Sequence, residues 1–305
     1  MPSNQSIIKA LAPMDGITDR AYRQIVRKLN PDVWLYSEFT SVNGIEHSQM
    51  VKNRIRFEPS EQPLVVQLFG RDRSLYGKIV AEIAQLNPAG IDINFGCPAK
   101  RIVQAGNGAA MIKEPELAFR IVETAVRASN IPISVKTRLG WSNSDDLIPF
   151  LKGLEAAGAS QITLHGRTAK QGYRGQADWE PIYEAKKALS IPILGNGDIQ
   201  GHDQAMEKLK NLDGYMIGRA AIGDPWVFWT EDQRSAIGLK EKVEIMIEHY
   251  RLLRREKDES KALIEFRKHI SGYIKGFQDA KAMRQLLMKS ENEKEFTDNA
   301  LSLAS

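Results

Sequence analysis

The sequence predicts an α/β protein of the (β/α)8 barrel type (a TIM barrel), followed by a small all-helical region. Two observations carry this prediction. Short apolar segments typical of β-strands recur about every 29 residues, close to the length of one strand-and-helix repeat, and this rhythm stops near Gly238. The segments are almost continuously apolar rather than alternating, which is typical of parallel strands covered on both faces.

Eight segments are expected to form the barrel strands, within residues 1–238. They span residues 7–14, 32–37, 63–70, 90–96, 131–138, 160–166, 191–197 and 213–218. Helices are expected between them at 74–86, 115–128, 144–157, 181–189 and 201–212. Pro115 and Pro181 suit the first turn of a helix, and Gly158 suits the end of one. An open, doubly wound sheet is the alternative that this pattern leaves open.

Residues 239–305 lack proline and any strand pattern, and they predict a separate helical domain. Its helices are expected at 240–257, 261–277, 279–289 and 291–302. Between residues 250 and 289 there are eleven Lys and Arg against five Asp and Glu. Such a run is usually a solvated helical surface; a surface that faces a polyanion is the alternative.

Composition narrows the class of protein. The chain has 305 residues, a formal net charge of +4 and a sequence pI of about 9.0, which permits a polyanionic partner without requiring one. Its single cysteine, Cys97, excludes an internal disulfide and suits a reducing compartment. No segment predicts a membrane helix or a secretory signal, and the five histidines lack metal-ligand spacing. We therefore expect a cytoplasmic, monomeric protein with no metal and no membrane partner.

Polar residues mark the C-terminal ends of the predicted strands, where barrel enzymes carry their chemistry. Burying a lysine such as Lys136 there costs several kcal/mol unless an anionic group meets it. The strand ends therefore predict a site for a flat, polar, negatively charged ligand. The polar positions are Asp15, Gln67, Asn94, Lys136, His165, Asn196 and Arg219.

The last two strands indicate where a phosphate would bind. Gly195 and Gly197 follow the seventh strand, and Gly218 and Arg219 follow the eighth. Glycines allow close approach of the backbone to a ligand, and a short helical turn is expected near Arg219. This is the position at which barrels recurrently bind a phosphate.

Cys97 lies in a Gly-Cys-Pro loop just beyond the fourth strand, ahead of a glycine-containing segment (105–109) expected to be mobile. A lone cysteine is usually a small buried apolar residue. In this loop its thiol, with an ordinary pKa near 8.5, could donate a proton to a substrate if a flavin occupies the site. Nucleophilic catalysis by Cys97 with His165 as base is the rival role.

Several segments of the chain resemble the bacterial, FMN-dependent tRNA-dihydrouridine synthase family. The resemblance runs in family order through nearly the whole chain, and the cysteine block combined with the lysine and histidine blocks is highly specific. The segments are APMDGITD (12–19), VQLFG (66–70), INFGCPAK (93–100), VKTR (135–138), HGRT (165–168), NGDI (196–199), MIGR (216–219) and RKHISGYIKG (267–276).

The resemblance implies an FMN-containing barrel, NADPH as reductant, and a helical domain (239–305) that binds tRNA. It implies that uridines in tRNA are reduced to dihydrouridine, with hydride passing from flavin N5 to uracil C6 and Cys97 donating a proton to C5. The residues implied to hold the cofactor are Pro13, Met14, Asp15, Gln67, Lys136, His165, Asn196, Gly197, Asp198, Gly218 and Arg219.

Further roles follow from the same resemblance. Asn94, His165 and Arg167 are expected to contact the uracil, and Arg138, Lys275 and Arg284 the RNA backbone. An FMN barrel that acts on a small pyrimidine, as dihydroorotate dehydrogenases do, is the alternative enzyme, although it would have no need of a basic helical domain. A non-catalytic RNA-binding protein on a barrel scaffold is the third hypothesis.

Overall fold

A computed structural model describes residues 7–303. Within this range the structure contains one nine-stranded sheet in which every pairing is parallel. The strands are β1 (Ile8–Leu11), β2 (Leu35–Tyr36), β3 (Thr40–Ser41), β4 (Leu64–Phe69), β5 (Gly90–Asn94), β6 (Ile133–Arg138), β7 (Gln161–His165), β8 (Ile193–Asn196) and β9 (Gly214–Ile217).

The sheet curls into a barrel in the order β1-β9-β8-β7-β6-β5-β4-β2. A bridge between Ala10 and Trp34 joins the two ends, with a hydrogen bond of 2.9 Å from the Leu11 N–H to the Trp34 carbonyl oxygen. Since β2 and β3 both pair with β4, they are two pieces of one barrel strand. The expected barrel of eight strands is therefore confirmed, and the open sheet is excluded.

The strands are shorter than the sequence predicts, and for two of them the structure shows a local reason. The first strand ends at Leu11, just ahead of Pro13, which has no N–H for a ladder. Between β2 and β3, the Ser37 hydroxyl accepts the Gln67 N–H at 3.0 Å. A side-chain oxygen therefore takes the place of a backbone carbonyl oxygen in the strand pairing at that point.

Helices alternate with the strands as predicted, within a few residues at their ends. Asp19 caps the first by accepting the Tyr22 N–H at 3.0 Å. The barrel helices are α1 (Arg20–Leu29), α2 (Val42–His47), α3 (Gln49–Asn53), α4 (Arg73–Ala84), α5 (Lys100–Gln104), α6 (Pro115–Arg127), α7 (Leu147–Ala156), α8 (Glu180–Ala188) and α9 (His202–Leu209). Short 3-10 turns lie at Pro59–Glu61, Gly108–Lys113 and Arg219–Ala221.

The C-terminal part is all helical in the residues that the structure describes. After α10 (Glu231–Ser235) come α11 (Leu239–Arg254), α12 (Glu259–Tyr273), α13 (Ala280–Lys289) and α14 (Glu293–Ser302). The domain boundary at 238/239 stays a prediction, although α11 begins there. None of the helices in residues 7–303 combines the length and hydrophobicity that a membrane crossing requires.

The helical part packs tightly on the barrel through an apolar cluster shared with Ala21 and Ile25 of α1. Trp226, only 1% exposed, meets the Tyr273 ring edge-on at 5.9 Å between ring centroids, so this tryptophan packs between the barrel and the helices. The closest approach is between backbones: a Cβ built on Gly272 would collide with the carbonyl oxygen of Ile222. This contact requires glycine in a helix where alanine is intrinsically preferred.

We expect Gly272→Ala to lower the free energy of unfolding by about 1–3 kcal/mol, because backbone cannot move aside as a side-chain tip can. Urea unfolding followed by circular dichroism measures the change. Gly238→Ala is the matched control, since no atom lies within 4 Å of a Cβ built there. An equal effect of the two substitutions would show that the interdomain contact carries no stability.

Candidate active site

One cavity opens at the C-terminal ends of the strands, where the sequence predicts the site. It holds about 830 Å³ of empty space, its open mouth included, within the size range of ligand pockets. Twelve of the predicted site residues line it: Pro13, Met14, Asn94, Cys97, Lys136, Arg138, His165, Asn196, Gly197, Asp198, Gly218 and Arg219.

Lys136 lies at the bottom of this cavity, where its ammonium donates to the Asn196 side-chain oxygen at 3.0 Å. Burial, reinforced by the charge of Arg138, lowers the pKa of Lys136 to about 8. The Asn196 amide nitrogen in turn donates to the Met216 carbonyl at 2.7 Å, which fixes the direction of its oxygen. The bottom of the cavity thus presents a desolvated cation that an anionic ligand would stabilise.

Asp198 holds two arginines at one side of the cavity. Its carboxylate lies 2.6 Å from the Arg167 guanidinium and 3.0 Å from that of Arg219, and it accepts the Ala177 N–H at 2.8 Å. Partial burial acts to raise the pKa of Asp198, but these hydrogen bonds and charges hold it below its ordinary value. Asp198 is therefore ionised at neutral pH and fixes the position of Arg219 at the cavity.

The glycine turns expected to bind a phosphate do lie side by side in the cavity. Gly197 has φ +125°, and a Cβ built on it would lie 2.8 Å from the Ala177 side chain. Gly218 directly precedes the 3-10 turn Arg219–Ala221, where the sequence predicts a helical turn. Close backbone approach at two turns with an arginine between them suits a phosphate.

The Cys97 loop is held from both sides. The Asn94 side-chain oxygen accepts the N–H groups of Gly96 at 3.0 Å and Cys97 at 2.9 Å, while the Cys97 carbonyl accepts the Ala109 N–H at 3.0 Å. Burial raises the pKa of the Cys97 thiol, against smaller lowering effects that include the charges of Arg138 and Lys136. At neutral pH Cys97 is therefore a thiol, which suits proton donation better than nucleophilic attack.

The segment after this loop is packed, contrary to the expectation of a mobile stretch at 105–109. Ala109 is fully buried, and Gly108 opens the 3-10 turn Gly108–Lys113. A Cβ built on Gly108 would lie 2.7 Å from the Cys97 carbonyl oxygen. Of the two glycines that suggested mobility, Gly108 instead lets this turn approach the cysteine.

His165 is buried beside Lys136. Burial, together with the nearby charges of Lys136 and Arg138, pushes its pKa well below the ordinary value, so the ring is neutral. Its Nδ1 atom is buried and has no hydrogen-bond partner among residues 7–303. A neutral imidazole with a free polar atom beside a cavity is available to a ligand.

Three of the residues predicted to contact the cofactor or the uracil do not line the cavity. Asp15 is exposed and pairs with Arg54 instead. Gln67 is fully buried beneath the cavity and bonds to Asp92 and Asn94. Arg167, 2% exposed, lies behind Asp198 and donates to the carbonyl oxygens of residues 174 and 175.

The three cations predicted to meet the RNA backbone differ in exposure. Lys275 and Arg284 are exposed on the helical part. Arg138 is 4% exposed, and its guanidinium donates to the carbonyls of Gly96, at 2.6 Å, and of Thr168 and Gly172. Because Arg138 ties two loops together and faces the cavity, its position argues against a contact with exposed RNA backbone.

Sequence reasoning missed Tyr173, which is 60% exposed at the mouth of the cavity. Two guanidinium groups lie near its ring, that of Arg138 at 5.6 Å and that of Arg219 at 5.2 Å from the ring centroid. Cations hold an aromatic face in place even where it stays open to solvent. The signal was an aromatic residue flanked by Gly172 and Gly175 in the loop after the histidine strand.

Known proteins are similar to this chain in sequence and in fold. The family model described as "Dihydrouridine synthase (Dus)" matches residues 10–304. The chain belongs to the dihydrouridine synthase family. It is 34% identical to a probable tRNA-dihydrouridine synthase 1 of Synechocystis, with 96% of this chain and 86% of that protein covered. It is 32% identical to tRNA-dihydrouridine synthase B of Pseudomonas aeruginosa, with 90% and 86% covered.

Solved structures confirm the fold of this family member as a barrel. A 2-naphthoyl-CoA reductase is similar with a TM-score of 0.56 and 11% identity, over 72% of this chain and 49% of that chain. A variant of NCR from Zymomonas mobilis has a TM-score of 0.51 and 16% identity, over 74% and 89%. The expected family is confirmed, and with it the enzyme class of flavin-dependent oxidoreductases.

We expect the two arginines on Asp198 to contribute differently to the stability of this synthase. Arg167→Met should lower the free energy of unfolding of the ligand-free protein by about 2–4 kcal/mol, because it breaks a buried ion pair. Arg219→Met should lower it by less than about 1 kcal/mol, since the Arg219 side chain is 55% exposed. Urea unfolding compares the two, and equal losses would refute the assignment of Arg167 as the structural partner.

Proposed function

We propose that this chain reduces uridines in tRNA to 5,6-dihydrouridine, with FMN as cofactor and NADPH as reductant. The observation that carries the proposal is a protonated, partly buried Cys97 in one cavity with a desolvated lysine and a glycine-lined anion pocket. The relatives named tRNA-dihydrouridine synthases support the substrate. An FMN barrel that acts on a small pyrimidine would share the cavity and lack a use for the basic helices.

The residues present fit an FMN. Its phosphate suits the turns at Gly197 and Gly218, with Arg219 supplying positive charge. The polar end of the flavin ring would meet Lys136 and Asn196, whose ammonium and amide are already fixed to each other. Pro13 and Met14 line the opposite side. The remaining predicted contacts, those of Asp15 and Gln67 with the cofactor, have no support from the cavity lining.

When bound, the flavin supplies the hydride that uracil C6 accepts, after receiving it from NADPH. Cys97 donates the accompanying proton to C5, so the C5=C6 bond gains one hydride and one proton. The thiolate left behind lies near the charges of Arg138 and Lys136, both of which favour the ionised form of Cys97. His165 stays neutral and is available, with Asn94, for polar contact with the uracil.

The uridine must leave its stack to reach this cavity, at a cost of a few kcal/mol. Exposed cations around the mouth and on the helices can offset that cost through RNA phosphates. The open face of Tyr173 is placed to stack on an extruded base. The exposed cations are Lys100, Arg101, Lys170, Arg174, Lys275 and Arg284.

We further propose that the protein is cytoplasmic and monomeric. Sedimentation of the protein with and without tRNA would test the monomeric state.

We expect the purified protein to be yellow, because the cavity retains FMN. NADPH added without oxygen should bleach it, and unmodified tRNA should then restore the colour. Absorption near 450 nm follows each step. A colourless protein that cannot be reconstituted with FMN would refute the cofactor assignment, and bleaching that tRNA does not reverse would favour a small-molecule substrate.

We expect Cys97→Ala to slow dihydrouridine formation by about 10²–10⁴-fold, since a positioned general acid contributes that much. Flavin content and bleaching by NADPH should not change, because neither requires the proton. Cys97→Ser is the matched variant, and should retain more activity than alanine because its hydroxyl can still donate. Uridine reduction at the normal rate by the alanine variant would rule out Cys97 as the acid.

A further inference from the structure

One part of the barrel interior beneath the cavity is polar rather than apolar. Strand register places Gln67, Asp92 and Ser134 in one row across β4, β5 and β6. Asp92 is fully buried, and its carboxylate accepts from the Gln67 amide at 2.6 Å and from the Ser134 hydroxyl at 2.6 Å. Burying a carboxylate costs desolvation free energy, even when it accepts two short hydrogen bonds. The roles proposed for the residues that act on the uridine do not explain why a carboxylate is buried here.

Hydrogen bonds run from this carboxylate to the cysteine loop in one fixed direction. An ionised Asp92 can only accept, so Gln67 must turn its amide nitrogen toward it. The Gln67 oxygen then faces Asn94 and accepts from the Asn94 nitrogen at 3.0 Å. The Asn94 oxygen is thereby directed at the loop.

The other end of the chain demands the same direction. The two backbone groups that meet Asn94 are the N–H donors of Gly96 and Cys97, at 3.0 and 2.9 Å. They can be satisfied only by the amide oxygen. If the Gln67 amide turned over, Asn94 would have to turn over as well, because two amide nitrogens cannot hydrogen-bond to each other. The Asn94 nitrogen would then face two N–H donors, and the loop would lose both hydrogen bonds.

We propose that Asp92 is a positioning residue which, through the side-chain amides of Gln67 and Asn94, fixes the backbone of the Gly96–Cys97 loop. We name the chain Asp92–Gln67–Asn94 the amide relay. Its placement of the loop stands on the contacts above. Its effect on catalysis rests on the proposed role of Cys97 as the acid.

Ionisation of Asp92 is what gives the relay its direction. Burial raises the pKa of Asp92 to about 6, against the lowering effects of the hydrogen bonds from Ser134 and Gln67 and of the charge of Lys136. Tyr36 and Tyr76 also face it, and burial raises their pKa values. A protonated Asp92 can donate as well as accept, so below about pH 6 the carboxyl end of the relay no longer imposes the direction of the Gln67 amide, and only the two backbone N–H groups of the loop still favour it.

The same pKa predicts an unusual effect on stability. The folded-state pKa of Asp92, about 6, lies above the unfolded value of 3.8, so the folded protein binds a proton more readily between these pH values. Stability contributed by the protonated form is therefore lost as pH rises through about 6. Ionisation of Asp92 therefore orders the loop and at the same time lowers the free energy of unfolding. This opposite effect on stability distinguishes a positioning role for Asp92 from structural support.

Hydrogen exchange at the Gly96 and Cys97 amides of the FMN-bound protein tests the relay. At pH 7 we expect Asp92→Ala to lower their protection factors at least tenfold. Asp92→Asn should lower them several-fold, because its amide can present either end to Gln67. The melting temperature of Asp92→Asn should not fall. Ser134→Ala is the matched control: it removes a hydrogen bond of equal length to the same carboxylate but leaves the bond from Gln67, and it should lower protection less than either Asp92 variant does.

A pH series provides a second measurement should Asp92→Ala fail to fold. Between pH 7 and 5 wild-type protection should fall, while that of Asp92→Asn stays constant. Lys136, with a pKa of about 8, and Cys97, with its raised pKa, both keep their protons in this range. A fall that persists in Asp92→Asn would overturn the proposal. So would full protection in both Asp92 variants, or an equal loss in Ser134→Ala.

Activity separates this proposal from the proposed function. Asp92→Ala should slow uridine reduction in tRNA at least tenfold while NADPH oxidation by ferricyanide, which needs no proton from Cys97, stays at the wild-type rate. Loss of loop protection with unchanged uridine reduction would support the relay and refute Cys97 as the acid. Retained loop protection with slowed uridine reduction would overturn the relay alone.

Discussion

Positive charge held away from water at the mouth of the barrel is the constraint on which the rest of the site depends. Lys136, Arg138, Arg167 and Arg219 converge there, and Asp92 and Asp198 are the carboxylates arranged against them. Burial lowers the pKa of Lys136 and of Arg138, because the fixed oxygen partners of these two cations only partly offset the cost of desolvation. The result is a cavity whose charge an anionic ligand would complete, and whose neighbouring histidine is kept neutral.

Polar layers in the barrel interior make this arrangement possible. Barrels usually fill their interior with branched apolar side chains. Here such side chains, among them Leu194 and Met216, fill one side, while the side bounded by β4 to β7 carries Gln67, Asp92 and Ser134. The side chains hydrogen-bond to one another across neighbouring parallel strands. In this way they fix the loops that follow those strands.

The helical part is joined to the same loops that build the cavity. Within the barrel, the Tyr22 hydroxyl of α1 bonds to the Ala221 carbonyl in the turn after Arg219, and from the helical part Lys268 of α12 donates to the Gly16 carbonyl in the turn after β1. The backbones of Gly272 and Ile222 touch beside the first of these turns. A basic surface on these helices would therefore hold a fixed orientation toward the cavity, which is what an enzyme acting on one base of a large RNA needs.

The sequence by itself determined the strands, the helices and the family. Continuous apolar runs mark parallel strands whatever their neighbours, and the glycines, Cys97 and Lys136 occur at strand ends that must meet at one edge of a closed barrel. These features depend on local pattern and on topology alone, so twelve predicted residues do line the cavity.

Only the tertiary structure decided which polar side chain meets which. Strand register puts Asp92 under Gln67, and loop packing buries Arg138 and Arg167 while leaving Tyr173 open to solvent. Gly108 looked like a mobile position and instead lets a turn approach Cys97. Register and burial follow from contacts between residues far apart in the chain. A sequence pattern describes each segment by itself and contains no information about the distances between segments.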